Sequence, residues 1–258
     1  MTDRSTSGGM EPREADGCVV VGVDGSGAAL NAVRWAAAEA VDLDACLRIV
    51  HVAPTLAGGA RIDTVLSAAE NAAIGAVKSV RVQLCRMRGT PGDVLADESQ
   101  RAAMVCIGAG PAQSAGYPMF GTAATALAQR AMCPVAIIRS RTNGAPQTEG
   151  VISVVLSDEP GNDEVVHQAM REGRLRRAAV RQIDCRSDSW TRRYPDVHVE
   201  TVAVGAPQRY CRVGTLTDAG IGLAVVGHGD AEMLTSLTVP NCHPINGFPD
   251  CSVLLVTK

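Results

Sequence analysis

The chain has 258 residues, 46% of them hydrophobic, a length that supports one large domain or two of ordinary size. A formal net charge of -3 and an aromatic content of 3% argue against nucleic acid or an anionic membrane as the main partner. No apolar run reaches the roughly 18 residues that span a bilayer, and the N-terminus lacks a signal-peptide core. We therefore expect a cytoplasmic protein with a disordered tail at residues 1–17.

The nine cysteines are odd in number and include no Cys-x-x-Cys pair. Cys106 and Cys133 lie inside or beside apolar runs, so they are interpreted as small buried hydrophobic residues. This pattern suits a reducing cytosol.

The first half of the chain alternates short apolar strands with helices. Strands are predicted at residues 18–23, 47–53, 80–84, 104–107 and 135–138, and helices begin near residues 28, 62, 93 and 121–122. Strands that alternate with helices in this way predict a parallel, doubly wound sheet.

The first helix shows a clear apolar face. Ser26 is placed to cap its N-terminus. The apolar positions that recur at helical spacing are Ala29, Val33, Ala36, Ala37 and Ala40. Asn31, Arg34 and Glu39 are expected to face away from the sheet on which this helix packs.

The second half of the chain repeats the first. Residues 141–150 have no apolar periodicity and separate the halves. Beyond them, VISVVL at 151–156 matches VVVGV at 19–23, and CSVLLV at 251–256 matches CPVAII at 133–138. The period of about 115–135 residues is that of two domains rather than a solenoid, which places them at 18–140 and 151–258 with a linker at 141–150.

The second copy has lost the features that would bind an anion. After Gly227 no Gly-Ser or Gly-Thr opens a helix. Ser157 stands at the place of Asp24, although a shift of one residue would put Asp158 there. We expect the second domain to be structural or partner-binding.

The first copy offers a candidate anion site between its fourth and fifth strands. In an open parallel sheet, ligands bind at the carboxyl ends of the strands, and a helix that starts there presents free backbone N–H groups. Gly108 lets the backbone approach a ligand closely. The small side chains of Thr122, Ala123 and Ala124 leave the start of the next helix open at Gly121.

The spacing from Gly108 to Gly121-Thr122, together with VVVGVDGS at 19–26, resembles the G-x2-G-x9-G-[ST] nucleotide loop of the universal stress protein superfamily. The resemblance, to the tandem two-domain actinobacterial type, implies an α/β fold of two tandem doubly wound domains. Each has a five-stranded parallel sheet of order 3-2-1-4-5. Because family members pair through their fifth strands, residues 135–138 are expected to pair with residues 253–256 as an intrachain pseudo-dimer, and a homodimer is a further option.

The same resemblance implies that the N-terminal domain holds ATP. The residues it places at the ligand are Asp24, Val52, Gly108, Gly121, Thr122 and Ala123. His51, next to the adenine-reading Val52, is interpreted as a packed strand residue. The pattern departs from the family at Pro111, which stands where the nucleotide binders have their second glycine and has no N–H to donate.

Two functions from different classes therefore stay open. The first is an adenine-nucleotide-binding stress regulator, favoured by Asp24 and by the intact Gly121-Thr122 helix start. The second is an interaction protein that keeps the fold without the ligand, favoured by Pro111 and by the bulky residues 117–120. Either would have protein partners that the sequence does not identify.

We do not expect an enzyme or a metalloprotein. No set of nucleophile, base and orienting acid has a recognised spacing, and no G-x-x-x-x-G-K-[ST] loop is present. His228, Asp230, Cys242 and His243 contain metal-ligating groups, but they do not follow the spacing of structural zinc sites.

Overall fold

The computed structural model describes residues 17–53, 63–111, 120–155, 162–183, 190–202, 221–227 and 251–257. The predicted tail at residues 1–17 lies almost entirely outside these ranges. Among the described residues, no helix combines the length and the apolar character that crossing a membrane requires.

The described residues of the first half form five strands and four helices in alternation. They are β1 (Val19–Val23), α1 (Gly27–Asp42), β2 (Leu47–Ala53), α2 (Thr64–Ala76), β3 (Val82–Arg88), α3 (Pro91–Glu98), β4 (Met104–Ala109), α4 (Thr122–Arg130) and β5 (Val135–Arg139). The described elements of the second half are β6 (Val151–Val155), α5 (Asn162–Arg176), β7 (Val180–Ile183), α6 (Trp190–Arg193), β8 (Val199–Val202), β9 (Ile221–Gly227) and β10 (Ser252–Val256).

All ten strands belong to one sheet, in the order β3-β2-β1-β4-β5-β10-β9-β6-β7-β8. Each half therefore has the predicted order 3-2-1-4-5, with parallel pairing inside it. The halves meet where β5 and β10 pair antiparallel, with Val253 opposite Ile137 and Leu255 opposite Val135. The predicted α/β fold and the predicted pairing of the two fifth strands are both confirmed.

The central strands of the sheet are buried on both faces, which is why they are almost continuously apolar. Val19 and Val21 of β1 point into a core shared with α1 and α2, and this core continues through α5 of the second half. Val20 points to the opposite face, where α3 and α4 pack.

The third strand differs from the sequence prediction. The sequence predicts this strand at residues 80–84, but it runs over Val82–Arg88. Its charged second half belongs to the sheet because Arg86 pairs with His51 and Arg88 with Ala53 of β2. An edge strand buries less of its surface, so its apolar alternation ends before its backbone pairing does.

Two cysteines behave differently from the expectation of reduced thiols. Cys106 and Cys133 are buried, as predicted, whereas Cys18 and Cys46 form a disulfide. Cys18 and Cys46 lie side by side because each precedes the first residue of a paired strand, Val19 opposite Leu47. The parallel pairing of β1 and β2 makes neighbours of residues 28 positions apart.

Two of the three polar residues that the sequence places off the apolar face of α1 are nevertheless buried. Arg34 is exposed, but Asn31 and Glu39 are buried. Asn31 Nδ2 donates to Ser140 Oγ and to the Gly144 carbonyl, both at 2.9 Å. The segment between the two halves is thereby tied to the buried side of α1.

Glu39 belongs to a charged cluster between the halves, which we call the Glu39 cluster: Glu39, Arg171, Glu172 and Arg176. Arg171 Nη2 donates to Glu39 Oε2 at 2.6 Å and to Glu172 Oε1 at 2.8 Å. Arg176 bonds both carboxylates as well, Glu172 through Nε at 2.8 Å. Both carboxylates are fully buried, and the two guanidinium groups offset part of the cost of removing them from water.

Burial raises the pKa of Glu39 to about 8, and the neighbouring Glu172 carboxylate acts in the same direction. The guanidinium groups of Arg176 and Arg171 oppose this shift. Glu39 consequently binds a proton more tightly in the folded chain than in the unfolded chain.

The raised pKa of Glu39 predicts a pH-dependent stability. The contribution of Glu39 to the free energy of unfolding is complete below its unfolded pKa of about 4.5. This contribution is lost as the pH rises through the folded pKa of about 8. We expect the stability of the wild type to fall between about pH 5 and about pH 9, and to fall less in Glu39→Gln. Urea unfolding at several pH values measures this. Asp196→Asn, which alters an exposed carboxylate paired with Arg174, is the control; parallel wild-type and Glu39→Gln profiles would contradict the prediction.

The pairing of β5 with β10 predicts that the isolated first half self-associates. A fragment of residues 1–145 lacks β10, so it exposes the apolar edge of β5, and an unpaired edge pairs with another strand. Sedimentation of the fragment beside the full-length chain tests this. A clean monomer of the fragment at tens of micromolar would contradict it.

Candidate functional site

A pocket opens at the carboxyl ends of the central strands of the first half. It encloses about 260 Å³ between the ends of β1, β2 and β4 and the starts of α1, α3 and α4. All six residues selected from the sequence line it, namely Asp24, Val52, Gly108, Gly121, Thr122 and Ala123. They come together because parallel strands end at the same edge of the sheet.

Asp24 follows β1 and shapes the turn into α1. Its Oδ1 accepts from the Ser26 backbone N at 2.9 Å, and Ser26 Oγ accepts from the Ala29 N at 3.1 Å. The predicted cap at Ser26 is confirmed. Gly25 has a φ of 86°, a left-handed conformation that suits glycine. Among the described residues that line the pocket, Asp24 is the only one with an ionisable side chain.

Gly108 lies against the first turn of α1. A Cβ built there would stand 2.3 Å from the carbonyl carbon and oxygen of Ala28 and 2.5 Å from the nitrogen of Ala29. These are backbone atoms, so they cannot rotate away. The close neighbour that requires glycine here is therefore α1, which is brought against β4 at the wall of the pocket.

The start of α4 forms the opposite wall. Gly121 is the N-cap, with a φ of -70° and no side-chain cap hydrogen bond, and the helix begins at Thr122 as predicted. Since the first backbone N–H groups of a helix lack intrahelical acceptors, an anion here would satisfy them. A Cβ at Gly121 would meet nothing within 4 Å, so this edge of the pocket is open.

Pro111 and Phe120 are not among the residues that line the pocket. Pro111 is exposed. Phe120 is buried on the face covered by α3 and α4, and the Arg139 guanidinium lies 4.8 Å from its ring centroid. Residues 117–119 fall outside the described residues.

Sequence reasoning missed the contribution of α3 to the pocket. Pro91 and Leu95 line it, although no motif marks them. Leu95 sits over Gly22 of β1, where an added Cβ would come within 2.6 Å of its side chain. A glycine inside an apolar strand was the available signal that another element approaches closely.

His51 lies on the other face of the sheet from Val52 and supports α2. Its Nδ1 is 2.7 Å from Asp63 Oδ2, while Asp63 Oδ1 accepts from the first amides of α2. Burial disfavours the Asp63 carboxylate, but the hydrogen bonds from His51 and from the helix outweigh burial and lower its pKa. The structure thus places His51 as a packed strand residue.

The corresponding region of the second half falls largely outside the described residues. This applies to Ser157 and Asp158, and to the four residues weighed as metal ligands in 228–243. In the described part of the chain, no group of three or more His, Cys, Asp or Glu side chains is arranged to hold a metal ion.

Comparison with known proteins identifies the class to which this fold and pocket belong. Residues 18–139 match the Universal stress protein family. The chain is 32% identical over 263 residues to Universal stress protein Rv2624c of Mycobacterium tuberculosis, covering 93% of this chain and 96% of the relative. It is 34% identical over 229 residues to Universal stress protein Rv3134c of that species, covering 76% of this chain and 82% of the relative. The chain belongs to the universal stress protein family.

A solved universal stress protein from Archaeoglobus fulgidus shares the fold over nearly the whole length. The match covers 95% of this chain and 97% of that chain, with a TM-score of 0.59 and 10% sequence identity. The likeness therefore extends through both halves and concerns the fold alone.

The contact between Gly108 and α1 predicts a sharp difference between two neighbouring glycines. Gly108→Ala forces a Cβ against the Ala28 backbone, and overpacking of this kind costs about 1–3 kcal/mol. Gly110→Ala meets nothing within 4 Å, so we expect a change within about 0.5 kcal/mol. Urea unfolding of both variants measures the difference, and equal losses would contradict the close approach of α1.

Proposed function

We propose that this universal stress protein binds an adenine nucleotide, ATP, in the pocket of its N-terminal half and acts as a regulator in stress adaptation. One observation carries the proposal. Six residues from four separate segments, chosen from the sequence for their match to a nucleotide loop, line a single pocket.

The chemistry of the pocket walls supports a nucleotide with its phosphates at α4. The helix start at Gly121 and Thr122, which has no side-chain cap hydrogen bond, offers amide donors and the positive end of a helix dipole. At the other side, Asp24 is an exposed carboxylate able to accept from a ribose hydroxyl or an amino group. Val52, at the end of β2, lies where the family resemblance places the adenine edge.

The same lining favours binding without chemistry. Among its described residues, Asp24 is the only ionisable group and already accepts a hydrogen bond from Ser26. Thr122 is the only hydroxyl, and no described lining residue is placed to take its proton as a general base. We therefore propose a nucleotide-responsive regulator rather than an ATPase.

Pro111 favours a second candidate, an interaction protein that keeps the fold without the ligand. The residue stands two positions beyond the end of β4, where a nucleotide binder of this family presents a glycine N–H. Proline has no such donor. In this alternative the paired halves present protein-binding surfaces, and the pocket stays without a nucleotide.

Titration calorimetry with ATP on the full-length chain tests the proposal. We expect one binding site, stronger binding in Pro111→Gly and no binding in Gly121→Val. A hydrogen bond to a charged group is worth about 1.5–3 kcal/mol, or roughly one to two decades in affinity, which sets the expected gain for Pro111→Gly. A branched side chain at Gly121 occupies space where the phosphates approach the helix.

Gly121→Ala is the matched control for folding, because a Cβ at this position meets nothing within 4 Å. Both Gly121 variants are expected to lose a similar, small amount of stability, because Gly121 is the N-cap of α4 and alanine and valine are poorer caps. If the wild type and Pro111→Gly both fail to bind ATP, the interaction protein is the correct reading. If the wild type binds and Pro111→Gly binds no better, Pro111 does not occupy the place of the second glycine.

A further inference from the structure

Arg139, the last residue of β5, connects both ends of the segment that joins β4 to α4. Its Nη1 donates to the Gly110 carbonyl at 3.0 Å, and its guanidinium carbon lies 4.8 Å from the ring centroid of Phe120. Gly110 directly follows β4, and Phe120 directly precedes Gly121. The side chain is almost fully buried, with 2% of the residue exposed.

We propose that Arg139 is a positioning residue for the phosphate side of the pocket, fixing the end of β4 relative to the start of α4. The inference rests on the nucleotide site proposed above and adds to it a residue outside the pocket lining. Ala109 and Gly121, the immediate neighbours of Gly110 and Phe120, both line the pocket. The guanidinium group of Arg139 therefore links these two walls directly.

Arginine is suited to this task in a way that lysine is not. A guanidinium is planar, so it stacks on an aromatic ring while its edge donates hydrogen bonds. An ammonium group is a compact point charge that reaches one of these partners at a time. The contacts with Gly110 and Phe120 therefore need a planar cation that stacks on the ring while it donates a hydrogen bond.

The backbone of Arg139 is held in turn by the second half of the chain. Its N–H donates to Ser252 Oγ of β10 at 3.0 Å, and Ser252 Oγ donates to the Gln147 carbonyl at 2.6 Å. Ser252 is completely buried. The seam between the halves thus supports the residue that spaces the pocket walls.

The location of these contacts determines which ligands depend on Arg139. Gly110 and Phe120 adjoin the start of α4, where the phosphates are proposed to bind. Val52 lies in β2 and Asp24 follows β1, and neither has a part in the contacts of Arg139 described above. Displacing the start of α4 is consequently expected to weaken the binding of ATP and to leave the binding of adenosine almost unchanged.

The test compares Arg139→Met and Arg139→Lys with the wild type, all full length, by titration with ATP and with adenosine. We expect the Kd for ATP to rise about tenfold or more in both variants, equivalent to about 1.4 kcal/mol, and the Kd for adenosine to change less than about twofold. Arg48→Met is the matched control. Arg48 is a half-buried arginine of the same sheet, paired with Glu98 at 2.7 Å, and its loss should leave the ratio of the two Kd values unchanged.

Several results would overturn the assignment. If Arg139→Lys binds ATP like the wild type while Arg139→Met does not, the charge alone matters and Arg139 does not position the walls. If the binding of ATP and of adenosine weakens equally, Arg139 contributes only to general stability. The same conclusion follows if the ratio of the two Kd values shifts as much in Arg48→Met.

Hydrogen exchange separates this inference from the proposed function. Without any ligand, Arg139→Met should exchange faster than the wild type at the carboxyl end of β4 and in the first turn of α4, with α2 unchanged. If the wild type binds no ATP but this local change appears, the nucleotide proposal fails while the positioning role of Arg139 stands. Unchanged exchange at both places would overturn the positioning role.

Discussion

The antiparallel pairing of β5 with β10 is the constraint on which the rest of the structure depends. Ile137 and Ala136 of one half face Val253 and Leu254 of the other across this seam. All four are fully buried. The pairing covers two apolar sheet edges that would otherwise bind further strands, and it joins the two halves into one continuous sheet.

The seam also explains the buried charges. It brings the C-terminal end of α1 beside α5, so Glu39 meets Arg171 and Arg176. A buried ion cluster offsets the cost of removing charges from water only when nearly every hydrogen-bonding group has a partner, so it adds less to stability than apolar packing would. Its geometric demands are strict, and it therefore favours one arrangement of α1 against α5.

The pocket depends on close contact between elements rather than on one motif. Gly108 lets α1 lie against β4, and Gly22 lets Leu95 of α3 lie over β1. These approaches set the walls of the pocket that Asp24 and Thr122 both line. The fold thus builds a ligand-sized space at the carboxyl edge of the sheet before any ligand is considered.

The sequence by itself determined the alternation of strands and helices, the cap at Ser26 and the helix start at Gly121-Thr122, because these follow from local periodicity and capping chemistry. The strand order followed from the resemblance to the universal stress protein family. That resemblance also selected six residues that line the pocket. Only the tertiary structure decided that Glu39 and Asn31 are buried and that Arg139 connects two pocket walls. The physical reason is distance along the chain: Asn31 bonds Ser140, 109 positions away, and Glu39 bonds Arg171, 132 positions away. The local sequence around a polar helix residue carries no signal of such a distant partner. It therefore does not show whether the residue is exposed or buried.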